Sequence, residues 1–497
     1  MLDALWQGLV LTVTFKGIAM LVLGVIVGLI FGVIPGIGGP NALALCIPLT
    51  YGMAPQDAIA LAGGIMGSVS FGGSITSILI NTPGNAPNAA TCFDGYPMAR
   101  QGRAGEAIGA AGTAAAVGGV LGIVLLLAVV PAAKAIVMSF GPPEFFMLAV
   151  LGLACIAVST GGMFLRGLVS GGFGLILSMV GVDIVNGGTR FTLGIDALYD
   201  GIGIVPALIG LFALAEMIHL SIAGGKVARE DAEAKITGVM DGVRETFRQW
   251  PTVLRGSAIG AIVGAIPGVG GTICGFLAYT AAQQASKDPE SFGKGNILGV
   301  IAPESAANAK DGGHLIPTLA FGIPAGAEMV VFLGLMILHG LEPGPRLLTE
   351  HQDIIFALIV SLTIACIVAT VFGLLITRWL ALITLIDVHI LVPTVTAISI
   401  VGAYALDNKV SDVVICVVFG ILGYFMIKYR YPRVTMILAL VLGDLAERSF
   451  YQSLKIGDGT PSIFFQRSIS LTLFVLIVAA FLLPIARYWR ARLREAA

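Results

Sequence analysis

The chain has 497 residues and a formal net charge of −1, and 57% of its residues are hydrophobic while only 11% are charged. Soluble proteins carry about 25% charged residues, so this composition is typical of a membrane protein. A chain with no excess of basic residues is not suited to binding nucleic acid, and we exclude that class of function.

Apolar segments suited to a bilayer recur along the whole chain. A transmembrane helix needs about 20 apolar residues to span about 30 Å of hydrocarbon, and the candidate runs lie at 9–34, 148–158, 202–222, 354–375, 410–427 and 471–483. Allowing for short or broken segments, they predict an all-α polytopic membrane protein with roughly 10 to 14 membrane segments. The N-terminus lacks the basic region of a signal peptide, so we expect the first helix to be retained.

The charge pattern divides the chain into two halves joined by a basic linker. Residues 226–255 form the most hydrophilic interior stretch and carry six Lys or Arg residues, which is typical of a cytoplasmic loop. We predict a first repeat over residues 1–225, a basic cytoplasmic linker over 226–255, and a second repeat with a basic cytoplasmic tail over 256–497. The same rule places 428–433 and the tail arginines at 487–494 in the cytoplasm.

Each half carries the same two interruptions in the same order. The sequence GLIFGVIPGIGG at 28–39 is matched by GAIVGAIPGVGG at 260–271, and segment 72–84 resembles 312–324. Matching interruptions in two halves predict broken or re-entrant helices that line a transporter's binding site. Helix packing accounts for the glycines but not for Pro35, Pro83, Pro267 and Pro324. Two arginines in loop 94–106, against one in 339–353, favour inverted repeats.

The breaks predict how small ions are held. A helix that restarts after a break points free N–H groups into the cavity, which suits a carboxylate, whereas a helix that stops presents carbonyl oxygens, which suit sodium. Segment 36–41 indicates a break with a restart near Asn41. The neutral hydrogen-bonding side chains around it are Asn41, Ser74, Thr76, Ser77, Asn81, Thr82 and Asn85.

Charge inside the repeats is sparse, and a di- or tricarboxylate near the middle of a bilayer is costly unless it is neutralised. We therefore predict that a co-bound cation, Na⁺ in preference to H⁺, completes the site. Glu304, Asn308, Lys310 and Asp311 either line the cavity or form a solvated loop or a structural ion pair. His314 is either a proton-linked residue or substrate donor, or a satisfied histidine at a helix end.

The sequence has no motif for catalysis or ATP use. Segment 36–41 does not fit the G-x-G-x-x-G pattern, and no G-x-x-x-x-G-K-[ST] phosphate loop occurs. We predict a gradient-driven transporter and not an enzyme, without catalytic residues and with no cofactor besides the coupling ion. The six cysteines are isolated, as expected for buried apolar positions. A passive anion channel is an alternative, and its flux would stay linear in substrate and ignore sodium.

Four stretches resemble the large membrane subunit of the bacterial tripartite tricarboxylate transporters. They are PGIGGPNALA at 35–44, YGM at 51–53, GGSITSILINTPG at 72–84 and DGYPMARQGRAGE at 94–106. The similarity extends over almost the whole chain, including the central linker and PGVGG at 267–271.

This resemblance implies a secondary carrier in the bacterial inner membrane that works with a periplasmic solute-binding protein and a small membrane subunit. Such a carrier imports citrate-like or other carboxylates on an ion gradient, with inverted repeats and an elevator-like movement of its core. A stand-alone carboxylate symporter is the alternative, and it would need no binding protein.

The resemblance also implies which residues line the site. In the first half they are Gly36, Gly38, Gly39, Pro40, Asn41, Ser74, Thr76, Ser77, Asn81, Thr82, Pro83, Gly84 and Asn85. In the second half they are Gly268, Gly270, Gly271, Thr272, His314, Thr318, Pro324 and Gly326. We place the sodium neighbourhood at Asn41, Asn81, Thr82, Gly270 and Thr272.

Overall fold

The computed structural model of the chain describes residues 2–35, 37–158, 164–183, 187–223, 236–267, 270–383 and 388–479. Regular structure in these ranges is helical apart from one antiparallel ribbon, β1 (Gly181–Val182) paired with β2 (Thr189–Arg190). The predicted all-α class is confirmed. Gly36, Gly268 and the arginines of the tail lie outside the described residues.

The described part of the first half contains ten α-helices. They are α1 (Leu2–Thr12), α2 (Phe15–Val33), α3 (Gly38–Cys46), α4 (Pro55–Ile80), α5 (Cys92–Arg100), α6 (Ala104–Val137), α7 (Pro142–Val158), α8 (Phe164–Ser178), α9 (Ile204–Leu208) and α10 (Ala215–Ala223). A π-helical segment, Ile209–Leu214, joins α9 and α10 into one continuous helix. Single 3₁₀ turns follow α3 at Ile47–Thr50 and the end of α4 at Ala86–Ala89.

In the first half, α2, a break, α3, the long helix α4 and a second break follow one another. The second half has the same order of helix, break, helix, long helix and second break. Its helices are α11 (Val239–Arg248), α12 (Trp250–Gly264), α13 (Gly270–Ala285), α14 (Leu298–Phe321), α15 (Ala327–Leu338), α16 (Pro345–Glu350), α17 (Gln352–Ile383), α18 (Val388–Asp407), α19 (Val410–Lys428), α20 (Arg433–Ile456), α21 (Ile463–Gln466) and α22 (Ser468–Ala479). The described part of the predicted linker contains α11 and the start of α12.

Seven of the described helices are long and apolar enough to cross a membrane. They are Phe15–Val33, Pro55–Ile80, Ala104–Ala132, Ile204–Ile222, Gln352–Leu380, Val388–Asp407 and Val410–Lys428. Four shorter apolar helices accompany them at Pro142–Ala154, Leu165–Ser178, Ala327–Leu338 and Ser468–Ala479. The chain is therefore a multi-pass membrane protein, as predicted.

Glycines allow α2 and α4 to pack with their backbones almost in contact. A Cβ added at Gly24 would lie 2.2 Å from the carbonyl oxygen of Leu61, and one at Gly32 would lie 2.3 Å from that of Val69. Small residues permit such close approach between membrane helices. The residue numbers of the contacts increase together along α2 and α4, so the two helices are parallel. The chain between them runs back through α3 to the level at which α2 began.

The long helices of each half pack against long helices of the other half. The helix α6 packs parallel to α14, α17 packs parallel to α4, and α6 and α17 are antiparallel. Between α6 and α14, Gly118 contacts Ser305 and Gly122 contacts Ala309. Between α4 and α17, Gly63 contacts Ser361 and Gly67 contacts Ala365. Between α6 and α17, Gly119 contacts Cys366 and Gly112 contacts Thr370. It follows that α4 and α14, which hold equivalent places in the two halves, run in opposite directions.

Candidate functional site

The first break separates α2 from α3. The helix α3 begins at Gly38, whose φ of 62° lies in the left-handed region that glycine adopts without strain, so the restart comes earlier than the expected position near Asn41. Asn41 lies in the first turn and is buried. Its Nδ2 donates to the carbonyl of Ile37, and its Oδ1 has no hydrogen-bond partner in the described chain.

The second break of the first half folds the chain back along α4. Asn81 ends this helix with a left-handed φ of 54°, and both Asn81 and Thr82 are exposed. The N–H of Gly84 then donates to the carbonyl of Gly73 over 3.3 Å. A Cβ at Gly84 would lie 2.0 Å from the carbonyl oxygen of Gly32, so this position requires glycine. The fold-back brings the following 3₁₀ turn toward the first break.

The breaks of the second half meet the same region. A Cβ added at Gly271, in the first turn of α13, would lie 2.6 Å from Pro87 and 2.7 Å from the Cε of Lys310. The helix α14 ends at Gly322, whose φ is 68°, and α15 follows Gly326. Elements from both halves therefore converge around one buried region.

A carboxylate without exposed surface joins the two halves in this region. Glu304, on α14, accepts hydrogen bonds from the hydroxyls of Ser74 and Thr91, each at 2.5 Å. The Nδ2 of Asn88 lies 3.1 and 3.2 Å from its two oxygens. All three donors are neutral and belong to the first half. The arrangement satisfies the oxygens of Glu304, but it supplies no positive charge from these partners.

A second charged group lies two turns along α14. The Nζ of Lys310 is 2.5 Å from an oxygen of Asp311 and 3.3 Å from Oε2 of Glu328, and all three side chains are buried. The Oε1 of Glu328 accepts from the Nδ2 of Asn85 at 3.0 Å. A Cβ added at Gly39 would lie 2.3 Å from this same oxygen. One cation thus faces two carboxylates between the two break loops.

His314 faces the second break of its own half. It is 3% exposed, neither ring nitrogen has a hydrogen-bond partner in the described chain, and its Cε1 would lie 3.1 Å from a Cβ at Gly326. It lies inside α14, so the interpretation as a satisfied helix-end histidine is wrong. The solvated-loop interpretation is also wrong, because Glu304, Asn308 and the residues at 310 and 311 are buried within α14.

The structure brings some predicted site residues together and separates others. Those at or beside the buried region are Gly38, Gly39, Ser74, Ser77, Gly84, Asn85, Gly271, His314 and Gly326. Thr76, Thr318 and Pro324 are buried, and Pro40 and Pro83 are half-buried. Asn81 and Thr82 are exposed. Gly270 begins α13, and the side chain of Thr272 lies outside the description.

Three polar residues of this region are not in the predicted binding set: Asn88, Thr91 and Glu328. Another four have a place in the cavity only as one of two open alternatives: Glu304, Asn308, Lys310 and Asp311. The residues 304, 308 and 311 recur at helical spacing, which is the signal of one polar face on a buried helix. Thr91 gave no such signal, because its partner is 213 positions away in the chain.

Comparison with known families identifies the chain. Residues 18–438 match the model described as the tripartite tricarboxylate transporter TctA family. The chain belongs to this family. It is accordingly a component of a transport system, and the resemblance noted from its motifs is confirmed.

Two relatives come from Agrobacterium vitis. One is an uncharacterized 52.8 kDa protein in the TAR-I ttuC' 3'region, which is 35% identical over 460 residues, covering 92% of this chain and 90% of the relative. The other is an uncharacterized protein in the TAR-II ttuC' 3'region, 34% identical over 215 residues, covering 43% of this chain and 88% of the relative. No solved structure matches the chain.

Proposed function

We propose that this protein is the carrier subunit of a tripartite importer of di- or tricarboxylates, coupled to Na⁺, in the bacterial inner membrane. It receives its substrate from a periplasmic solute-binding protein and works with a small membrane subunit. Family membership supports the tripartite assembly. The choice of Na⁺ and of a carboxylate rests on the charge of the buried region.

The observation that carries the proposal is the convergence of both halves on buried polar groups. Ser74 and Asn85 of the first half contact Glu304 and Glu328 of the second. Ionisable groups buried in a membrane protein mark substrate and ion pathways. Because the carboxylates outnumber Lys310, an anionic substrate needs accompanying cations there, and this requirement supports symport.

The helix directions support inverted repeats, and we propose that the core of this carrier moves in an elevator-like manner. Equivalent helices α4 and α14 are antiparallel, as in transporters whose repeats are related by an axis in the membrane plane. Basic residues cluster where α6 begins: Arg103 donates to the carbonyl of Gly295, and α11, with Arg244 and Arg248, packs on the same end. We place this end in the cytoplasm.

Reconstituted transport tests the proposal. The protein is purified with its small membrane subunit, placed in proteoliposomes, and supplied with a periplasmic solute-binding protein of the same system and radiolabelled carboxylates. We expect saturable uptake that requires an inward Na⁺ gradient and the loaded binding protein. Uptake driven equally well by a proton gradient alone would contradict sodium coupling. Uptake without the binding protein would favour a stand-alone symporter, and flux linear in substrate and indifferent to ions would indicate a channel.

A further inference from the structure

The carboxylate of Glu328 lies where the two halves would hold a carboxylate of the substrate. It stands between Gly39, at the restart of α3, and Lys310, and it accepts from the tip residue Asn85. These are a close backbone approach, a cation and an amide donor, which together form a carboxylate-binding arrangement. The carboxylate that occupies this arrangement is the side chain of Glu328 itself.

We infer that Glu328 is an internal counterpart of a substrate carboxylate, and that the two alternate at Lys310 during the transport cycle. The inference rests on the proposed function. It adds the cation that recognises the substrate and the group that replaces the substrate when the carrier returns.

The two carboxylates on Lys310 are not equivalent partners. Asp311 is the next residue on the same helix and lies 2.5 Å from Nζ, whereas Glu328 reaches across from the first turn of α15 and lies 3.3 Å away. A partner on the same helix moves together with Lys310, whereas a partner on another helix can separate from it. Asp311 is therefore the permanent partner, and Glu328 is the one that a substrate carboxylate displaces.

Burial explains why such a group is needed. Lys310 is 1% exposed. Asp311 accepts from one of the three N–H donors of its ammonium, and a buried donor without an acceptor is costly. A carrier that releases its anionic substrate leaves this cation with less compensation while its core moves back. The Glu328 carboxylate restores the compensation, so the return step depends on it. The exchange of one bound substrate for another does not include that step.

The variant Glu328→Gln separates these steps, because it keeps the shape of the side chain and removes its charge. In proteoliposomes that contain the full chain with its small membrane subunit and are supplied with the binding protein, we expect net Na⁺-driven uptake of labelled carboxylate to fall about tenfold or more, while carboxylate exchange at equal Na⁺ stays within about twofold. The KM of exchange should fall about tenfold because the internal competitor is gone. Glu328→Asp, which keeps the charge, should recover part of the net uptake.

The controls make the outcome decisive. Glu342→Gln changes an exposed member of the Arg346 pair, in the loop between α15 and α16, and should leave both rates unchanged. Lys310→Gln should raise the KM for exchange. Equal losses of net uptake and exchange in Glu328→Gln, or unchanged rates and KM, would overturn the inference. A wild-type protein that performs neither uptake nor exchange would instead refute the proposed function.

Discussion

At the scale of single residues, Glu304 illustrates how much depends on neutral hydrogen bonds. Its carboxylate is fully buried and held by two hydroxyls and one amide from the other half of the chain. Burial removes water from this carboxylate, and the three hydrogen bonds replace the interactions with water. Without them the buried charge would be strongly unfavourable. The two halves are thereby joined at one side chain.

Replacing this side chain tests that role. Glu304→Ala removes the carboxylate that accepts from Ser74, Asn88 and Thr91 and opens a cavity, so we expect it to lower the free energy of unfolding by about 3 kcal/mol or more. Glu304→Gln keeps the volume and an acceptor oxygen, and should lose less. Thermal unfolding of both purified variants in detergent measures the difference. Equal unfolding temperatures for wild type and Glu304→Ala would show that this contact does not hold the halves together.

Residue-level prediction succeeded where local sequence determines structure. Glycine and proline predict both breaks of the first half, and the structure has them: α4 ends at Asn81, and α3 begins at Gly38, three residues before the expected restart near Asn41. The predicted site contains Asn81, Thr82, Ser74 and Asn85 because all four are polar. The chain reverses direction at Asn81 and Thr82, and these two residues are exposed. Their sequence spacing did not specify the direction of that fold-back.

At the scale of elements, the stability of the α2 and α4 pair depends on the absence of side chains. Gly24, Gly28 and Gly32 recur every four residues along one face of α2, and each approaches α4 closely. The repeat motif predicted breaks at the ends of these helices. It did not reveal that α2 and α4 are parallel, because that direction is set by the return through α3.

A single methyl group tests this packing. Gly32→Ala would place its Cβ 2.3 Å from the carbonyl of Val69, and we expect a loss of about 1 to 3 kcal/mol in the free energy of unfolding from overpacking. Gly172→Ala is the matched control, since it lies within α8 and its added Cβ meets nothing within 4 Å. The account of close helix packing fails if the two variants unfold at the same temperature in detergent.

At the scale of the whole molecule, the central prediction is that the halves are inverted. The composition predicted a polytopic helical protein, and the repeat motif predicted two related halves. The pairing of α6 with α14 and of α4 with α17 could not be predicted, because it arises from contacts between residues more than 180 positions apart, such as Gly118 and Ser305.

Cysteine labelling in cells tests the inversion. Gln101 and Glu342 are exposed and follow equivalent breaks in the two halves. A membrane-impermeant maleimide should label Glu342→Cys in intact cells, and should label Gln101→Cys only after the inner membrane is opened. Detergent-solubilised protein serves as the control for reactivity. Labelling of both positions from the same side would contradict inverted repeats.

The most direct test of the whole account is equilibrium binding of a labelled carboxylate to the purified protein with and without Na⁺. We predict that Na⁺ raises the affinity by about tenfold or more, and that Asn41→Ala and Asn85→Ala both lower it, whereas Glu342→Gln does not. This result would place substrate and cation together between the breaks of the two halves. Affinity that ignores Na⁺ and is the same in all three variants would contradict that site.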